Sequence, residues 1–174
     1  MSLGYTENYA IHRIVFVNSG SSAYVELPMN KTAALYGRNN EGKTSGLSAL
    51  KLFVPPEVNF KDCQNKFGFS SSGEFHTAQQ SYQYYFPDNS SFIIMEAENW
   101  KGRFCMVLHR SSEEWGYGRV AIARPYSEIC GTFWNFDSER NSGFGEPIEN
   151  LRLPEVLTKP VSYTHLTLPT IYTV

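Results

Sequence analysis

The sequence predicts an α/β fold in which a strand–loop–helix unit is flanked by antiparallel strands, and three observations lead to it. A glycine-bearing loop at 37–45 lies between a short apolar segment at 31–36 and an apolar helical run at 46–53. Two short strand-like runs joined by a Ser/Gly-rich turn come immediately before that unit. Further strand-like runs follow at hairpin spacing between residues 81 and 123, separated by turn residues.

Taken in order, residues 1–10 are polar and aromatic without a clear period and read as a lead-in. Residues 11–17 read as a strand, 18–22 as a turn, and 23–27 as a second strand ending at Pro28. The mostly apolar segment 31–36 suits a buried strand. Beyond the loop, Leu47, Leu50 and Phe53 fall at three-residue spacing on one helix face, and Pro55-Pro56 stops the helix.

The loop itself fits the phosphate-binding pattern G-x-x-x-x-G-K-S/T, with Gly37, Gly42, Lys43 and Thr44 at the fixed positions. Triphosphate binding needs several backbone N–H groups converging on one anion beside a helix N-terminus. Gly37 and Gly42 let the backbone curl that tightly, and the amides of Asn39, Asn40, Glu41, Gly42, Lys43 and Thr44, continuing to Ser45, form the expected cradle. Lys43 supplies a point charge for the β- and γ-phosphates, and the Thr44 hydroxyl is the expected Mg²⁺ ligand. The expected cofactors are therefore ATP and Mg²⁺.

The order strand, turn, strand, then G-x-N-x-x-G-K-S/T and an amphipathic helix resembles the N-terminal lobe of SMC, Rad50 and RecF-type (ABC-type) ATPase heads. Asn39 falls where that group usually has Asn, whereas Asn40 stands where it more often has Gly. The resemblance covers roughly 11–53. It implies an incomplete P-loop NTPase with an N-terminal antiparallel hairpin and a β-rich antiparallel lobe. It also implies that the full-length protein binds and hydrolyses ATP, dimerises through its head, and couples closure to DNA repair, segregation or defence.

In such heads the signature sequence and the Walker B acidic pair lie in the C-terminal half. No four-residue apolar run followed by Asp-Glu appears after the loop, and 142–145 (Ser-Gly-Phe-Gly) is not a convincing signature. Catalytic residues therefore stay unassigned, and this stretch alone is expected to be inactive. Gln79, Gln80 and Gln83 are available for the Mg²⁺- and water-contacting glutamine of the group, but nothing selects one. The rival readings are a self-contained P-loop kinase or GTPase, which would need a base-recognition motif and a Walker B Asp, and a non-catalytic nucleotide-binding module.

The remaining residues add a β-rich region. Residues 59–80 read as a polar loop holding a solvated His76, and 81–86, 91–97, 103–109 and 118–123 as strands. Tyr82, Tyr84, Tyr85 and Phe86 read as packed strand aromatics rather than a base-stacking patch, since no Arg or Lys interleaves them. Glu96 and Glu98 alternate and read as the solvent face of a hairpin. Residues 126–136 are expected to hold a short helix with Ile129 and Phe133 inward, and 137–150 a loop.

Composition sets the outer bounds. The chain has 174 residues, a formal charge of −2, 41% hydrophobic and 15% aromatic residues, which suits one globular domain. Near-neutral charge gives no field argument for nucleic acid. Cys63, Cys105 and Cys130 lack C-x-x-C spacing, so reduced thiols in a cytoplasmic protein are expected, without zinc. No apolar run reaches membrane-spanning length. Finally, residues 161–170 (Val-Ser-Tyr-Thr-His-Leu-Thr-Leu-Pro-Thr) resemble a translated transposase sequencing adapter. The expected division is thus 1–160, the N-terminal part of a head domain, and 161–174, a non-native tail.

Overall fold

The computed structural model describes residues 9–30, 43–54, 60, 78–136 and 145–148, with side chains from Gly46 in the first helix and from Gln79 in the second. The predicted strand at 31–36, the loop residues Gly37, Asn39, Asn40, Glu41 and Gly42, the Pro55-Pro56 stop, His76 and the 161–174 tail lie outside these residues.

Strands β1 (Ala10–Ser19), β2 (Ser22–Pro28), β3 (Phe92–Asn99), β4 (Gly102–Arg110) and β5 (Tyr117–Ile122) form a five-stranded sheet in the order β2-β1-β3-β4-β5. Every pairing is antiparallel, with Val15 opposite both Glu26 and Ile94, Ile94 opposite Val107, and Val107 opposite Val120. The first hairpin closes on Gly20 and Ser21, both at φ +64, which matches the twist of the flanking strands. A register shift between Ile11 and Arg13 marks a bulge early in β1.

Burial explains the order of strands. In β1 Ile14, Val15, Phe16 and Val17 are all buried, in β3 Phe92, Ile93 and Ile94, and in β4 Phe104 through Leu108. Continuous runs of this kind belong to strands covered on both faces. One face carries Ile14, Phe16, Ile93, Met106 and Leu108, the other Val15, Val17, Ile94, Cys105 and Val107. The outer strands β2 and β5 are only partly buried.

The first face is covered by α1 (Lys43–Ser48), the 3-10 turn Ala49–Leu52 that continues it, and α2 (Ala78–Tyr85). The second is covered by α3 (Tyr126–Ile129), the 3-10 turn Cys130–Thr132, and residues of a two-stranded ribbon, β6 (Trp134–Phe136) with β7 (Gly145–Pro147).

Several expectations are corrected here. Residues 81–86 are helical up to Tyr85 rather than a strand. Tyr82, Tyr85 and Phe86 are buried while Gln79, Gln80 and Gln83 are exposed, a helical period hidden by β-favouring aromatics. The first helix keeps part of the expected stripe: Phe53 is buried and Leu50 packs on the core, but Leu47 is exposed and Ala49 and Leu52 are buried instead, because tightening to 3-10 geometry after Ser48 shifts the period. Glu96 is buried, not on a solvent face. Within 137–150, Gly145–Pro147 is a strand paired with β6, not loop. Ile129 and Phe133 do point inward. Among the described residues, no helix is long and apolar enough to cross a membrane.

Candidate functional site: the helical segment at Lys43 and its seat on the sheet

Helix α1 opens at Lys43, so Lys43, Thr44 and Ser45 form its first turn, where the G-K-S/T pattern requires a helix to begin. The segment then runs through Leu52 as one continuous helical stretch. Its seat is fixed at both edges of the sheet. Near its start, a Cβ on Gly46 would stand 3.2 Å from Leu27 Cδ1 of β2, so glycine permits a close approach to that edge strand. In the middle, Ala49 and Leu52 are wholly buried in a cluster with Ile14, Ile93 and Met106.

At the far end, the Leu52 carbonyl is an acceptor that the helix itself leaves without a partner. It accepts a hydrogen bond from Arg119 Nη2 at 2.8 Å and one from the Tyr117 hydroxyl at 3.3 Å, both from edge strand β5. The Arg119 guanidinium lies 5.7 Å from the Tyr117 ring centroid, and that ring stacks on Phe86 at 5.7 Å with planes 9° apart. Packing among aromatics of α2, β5 and Phe60 thus fixes the two donors.

Helix α2 ties this face to the first hairpin. Gly20 N donates to the Tyr84 carbonyl at 2.9 Å, and Tyr82 donates its hydroxyl proton to the Gly116 carbonyl at 2.7 Å. Asn18 donates to the Asp88 carboxylate and to Ser90. Burial opposes ionisation of Asp88, but hydrogen bonds from Ser90 and Asn18 and the charge of Arg110 outweigh it and lower its pKa.

The other face carries a polar network instead of an acid–base pair. Arg13 donates through Nε to Glu96 at 2.8 Å and through Nη1 to Glu26 at 3.1 Å. The second Glu96 oxygen accepts from the Tyr126 backbone N–H at 3.0 Å. Tyr24 donates to Glu26 and touches the Tyr126 hydroxyl at 3.1 Å. Burial first, and then its bond to Glu26, push the Tyr24 phenol far above its ordinary range. Burial pushes the Cys105 thiol up to about 12, with Glu96 adding to the effect. Glu98 meets His12 Nε2 at 2.6 Å and Arg103 at 3.4 Å, and these contacts, His12 foremost, lower its pKa. These carboxylates face cations, hydroxyls and the Tyr126 N–H, and the Cys105 thiol, paired opposite Glu96, is kept protonated by its burial. The arrangement holds β1, β2, β3 and α3 together.

A cavity of about 270 Å³ opens on the same face, lined by Val17, Ala23, Phe133, Trp134 and Ile148 with Asn18 and Ser90 at its polar side. It is set among the apolar residues of the second core, away from α1. Among the described residues, no group of three or more His, Cys, Asp or Glu could hold a metal ion. Comparison of the chain with protein-family profiles, curated proteins and solved structures finds no match in any of them.

Of the expected site residues, Lys43, Thr44 and Ser45 thus share one helical turn. Tyr117 and Arg119 had no sequence signal. They are 65 and 67 residues from Leu52, and neither belongs to a recognisable pattern.

Proposed function

We propose that the chain binds ATP with Mg²⁺ through Gly37, Asn39, Asn40, Glu41, Gly42, Lys43, Thr44 and Ser45, as the N-terminal lobe of an ATPase head of the SMC/Rad50/RecF type. The observation that carries this reading is a G-x-x-x-x-G-K-S/T sequence whose Lys43 opens a helix seated on an antiparallel sheet. The donor set fits a magnesium triphosphate: a lysine cation, an adjacent hydroxyl, and glycine-flanked amides preceding a helix. A strand hairpin before the loop and an antiparallel meander after it agree with the lobe that such heads carry.

In this reading Lys43 offsets charge on the β- and γ-phosphates, and Thr44 holds Mg²⁺. The loop amides cradle the β-phosphate. Hydrolysis belongs to the full-length protein, in which an acidic pair and a signature helix from an opposing head complete the site. Head dimerisation and a role in DNA handling follow from the resemblance alone.

The test is a titration of the purified chain with ATP in the presence and absence of Mg²⁺. Lys43→Ala is expected to weaken binding by roughly 100-fold, as loss of a charge-assisted contact of about 3 kcal/mol would. Thr44→Ala is expected to remove most of the Mg²⁺ dependence. Equal affinity of Lys43→Ala and wild type would reject the reading.

A further inference from the structure

The helical segment that begins at Lys43 is held at opposite edges of the sheet: against Leu27 of β2 near its start, and by Arg119 and Tyr117 of β5 at its end. The hold at the β5 edge differs in kind from ordinary packing. The Leu52 carbonyl already has a neutral donor in the Tyr117 hydroxyl, yet a guanidinium is also brought onto it at 2.8 Å. A charged donor at a helix C-terminal carbonyl makes a shorter and stronger bond than a neutral one, and its charge opposes the partial negative charge there. Leu52 itself is wholly buried, so this bond is sheltered from water.

We propose that Arg119 is a positioning residue for the nucleotide site. By fixing the Leu52 end of the segment, it sets where Lys43 and Thr44 stand relative to the sheet. Occupancy of the loop is then transmitted along the segment to β5. The inference rests on the nucleotide-binding reading above and assigns a second, remote determinant to that site. The path is physical and short: one continuous helical segment, one carbonyl, two donors on one strand. Tyr117 is part of the same device, since its ring stacks on Phe86 while its hydroxyl reaches both Leu52 and Arg119.

The experiment compares wild type, Arg119→Met, Arg119→Lys and Tyr117→Phe. MgATP affinity is measured well below each protein's melting temperature, and backbone amide shifts of β5 are followed by NMR during the titration. Arg119→Met is expected to weaken MgATP binding by roughly 5- to 10-fold, the lower range of coupling between linked sites. It should also abolish the nucleotide-induced shifts at Val120 and Ile122, while Arg119→Lys recovers part of both. A purely structural role would lower the melting temperature and leave the affinity of the folded protein and the β5 response unchanged, and that result overturns the inference. If Arg119→Met does not fold, Tyr117→Phe, which keeps the ring and loses one donor, carries the same comparison with a smaller effect. Wild type that binds MgATP without any β5 response would overturn the inference and leave the nucleotide reading standing. Wild type that fails to bind MgATP overturns both.

Discussion

Glu96 shows how a single side chain can organise one face of a sheet. Its carboxylate is buried, with one oxygen on Arg13 and the other on the Tyr126 backbone N–H, so it joins β3 to β1 and to the start of α3. A buried carboxylate is tolerated only with such partners, because desolvation would otherwise disfavour its charge strongly. Glu96→Gln keeps an acceptor for the amide but removes the charge opposite Arg13, which retains Glu26 and some solvent. We expect a loss of about 1–2 kcal/mol for Gln and about 3 kcal/mol for Ala, read from urea midpoints. Equal stability of the Ala variant and wild type would show that the network contributes nothing net. In sequence, Glu96 and Glu98 alternate and look like an exposed strand face. The partner that draws Glu96 inward lies 83 residues earlier, and no local pattern encodes that distance. By contrast, the G-x-x-x-x-G-K-S/T pattern at Gly37, Gly42, Lys43 and Thr44 is contiguous, so a sequence can display it without any long-range contact.

At the scale of elements, legibility followed the clarity of the turns. The β3–β4 hairpin, where Lys101 N donates to Asn99 Oδ1 at 2.9 Å and Gly102 sits at φ +124, was marked by its Asn-Trp-Lys-Gly run. Helix α2 reads as a strand by composition because tyrosines favour strands, while the spacing of its buried Tyr82 and Tyr85, and of Phe86 just after it, is helical. The β6–β7 ribbon gave no signal, since strands of three residues are too short to carry a period. In the first helix the three-residue spacing marks Leu50 and Phe53 as inward but misses Ala49 and Leu52, and Gly46 shows why the approach to the sheet matters. A methyl group there meets only the tip of Leu27, so Gly46→Ala is expected to stay within about 1 kcal/mol of wild type, helix propensity offsetting crowding. Gly46→Val should cost about 1–3 kcal/mol and weaken ATP binding, because the helix must lift from β2. Thermal melts of both variants beside MgATP titrations check this. A Val variant with full stability and affinity would refute the close seat.

At the scale of the molecule, an antiparallel sheet in the order β2-β1-β3-β4-β5 carries two cores, one per face. The faces are unlike in chemistry. One buries aromatic residues under the helical segment from Lys43, and the other combines an apolar floor with the Arg13–Glu96–Glu26 network. The two edge strands meet the same helical segment at its opposite ends, so the segment spans the width of the sheet. The antiparallel character could be read from alternating hairpins, but the pairing of β1 with β3, across more than 70 residues, depends on long-range packing and could not. The proposed nucleotide site lies where the segment begins, and deuterium uptake of the chain with and without MgATP tests binding there. Exchange is expected to slow across 37–52, with a smaller effect in β5. No change in 37–52, or protection confined to the cavity around Phe133 and Trp134, would contradict it.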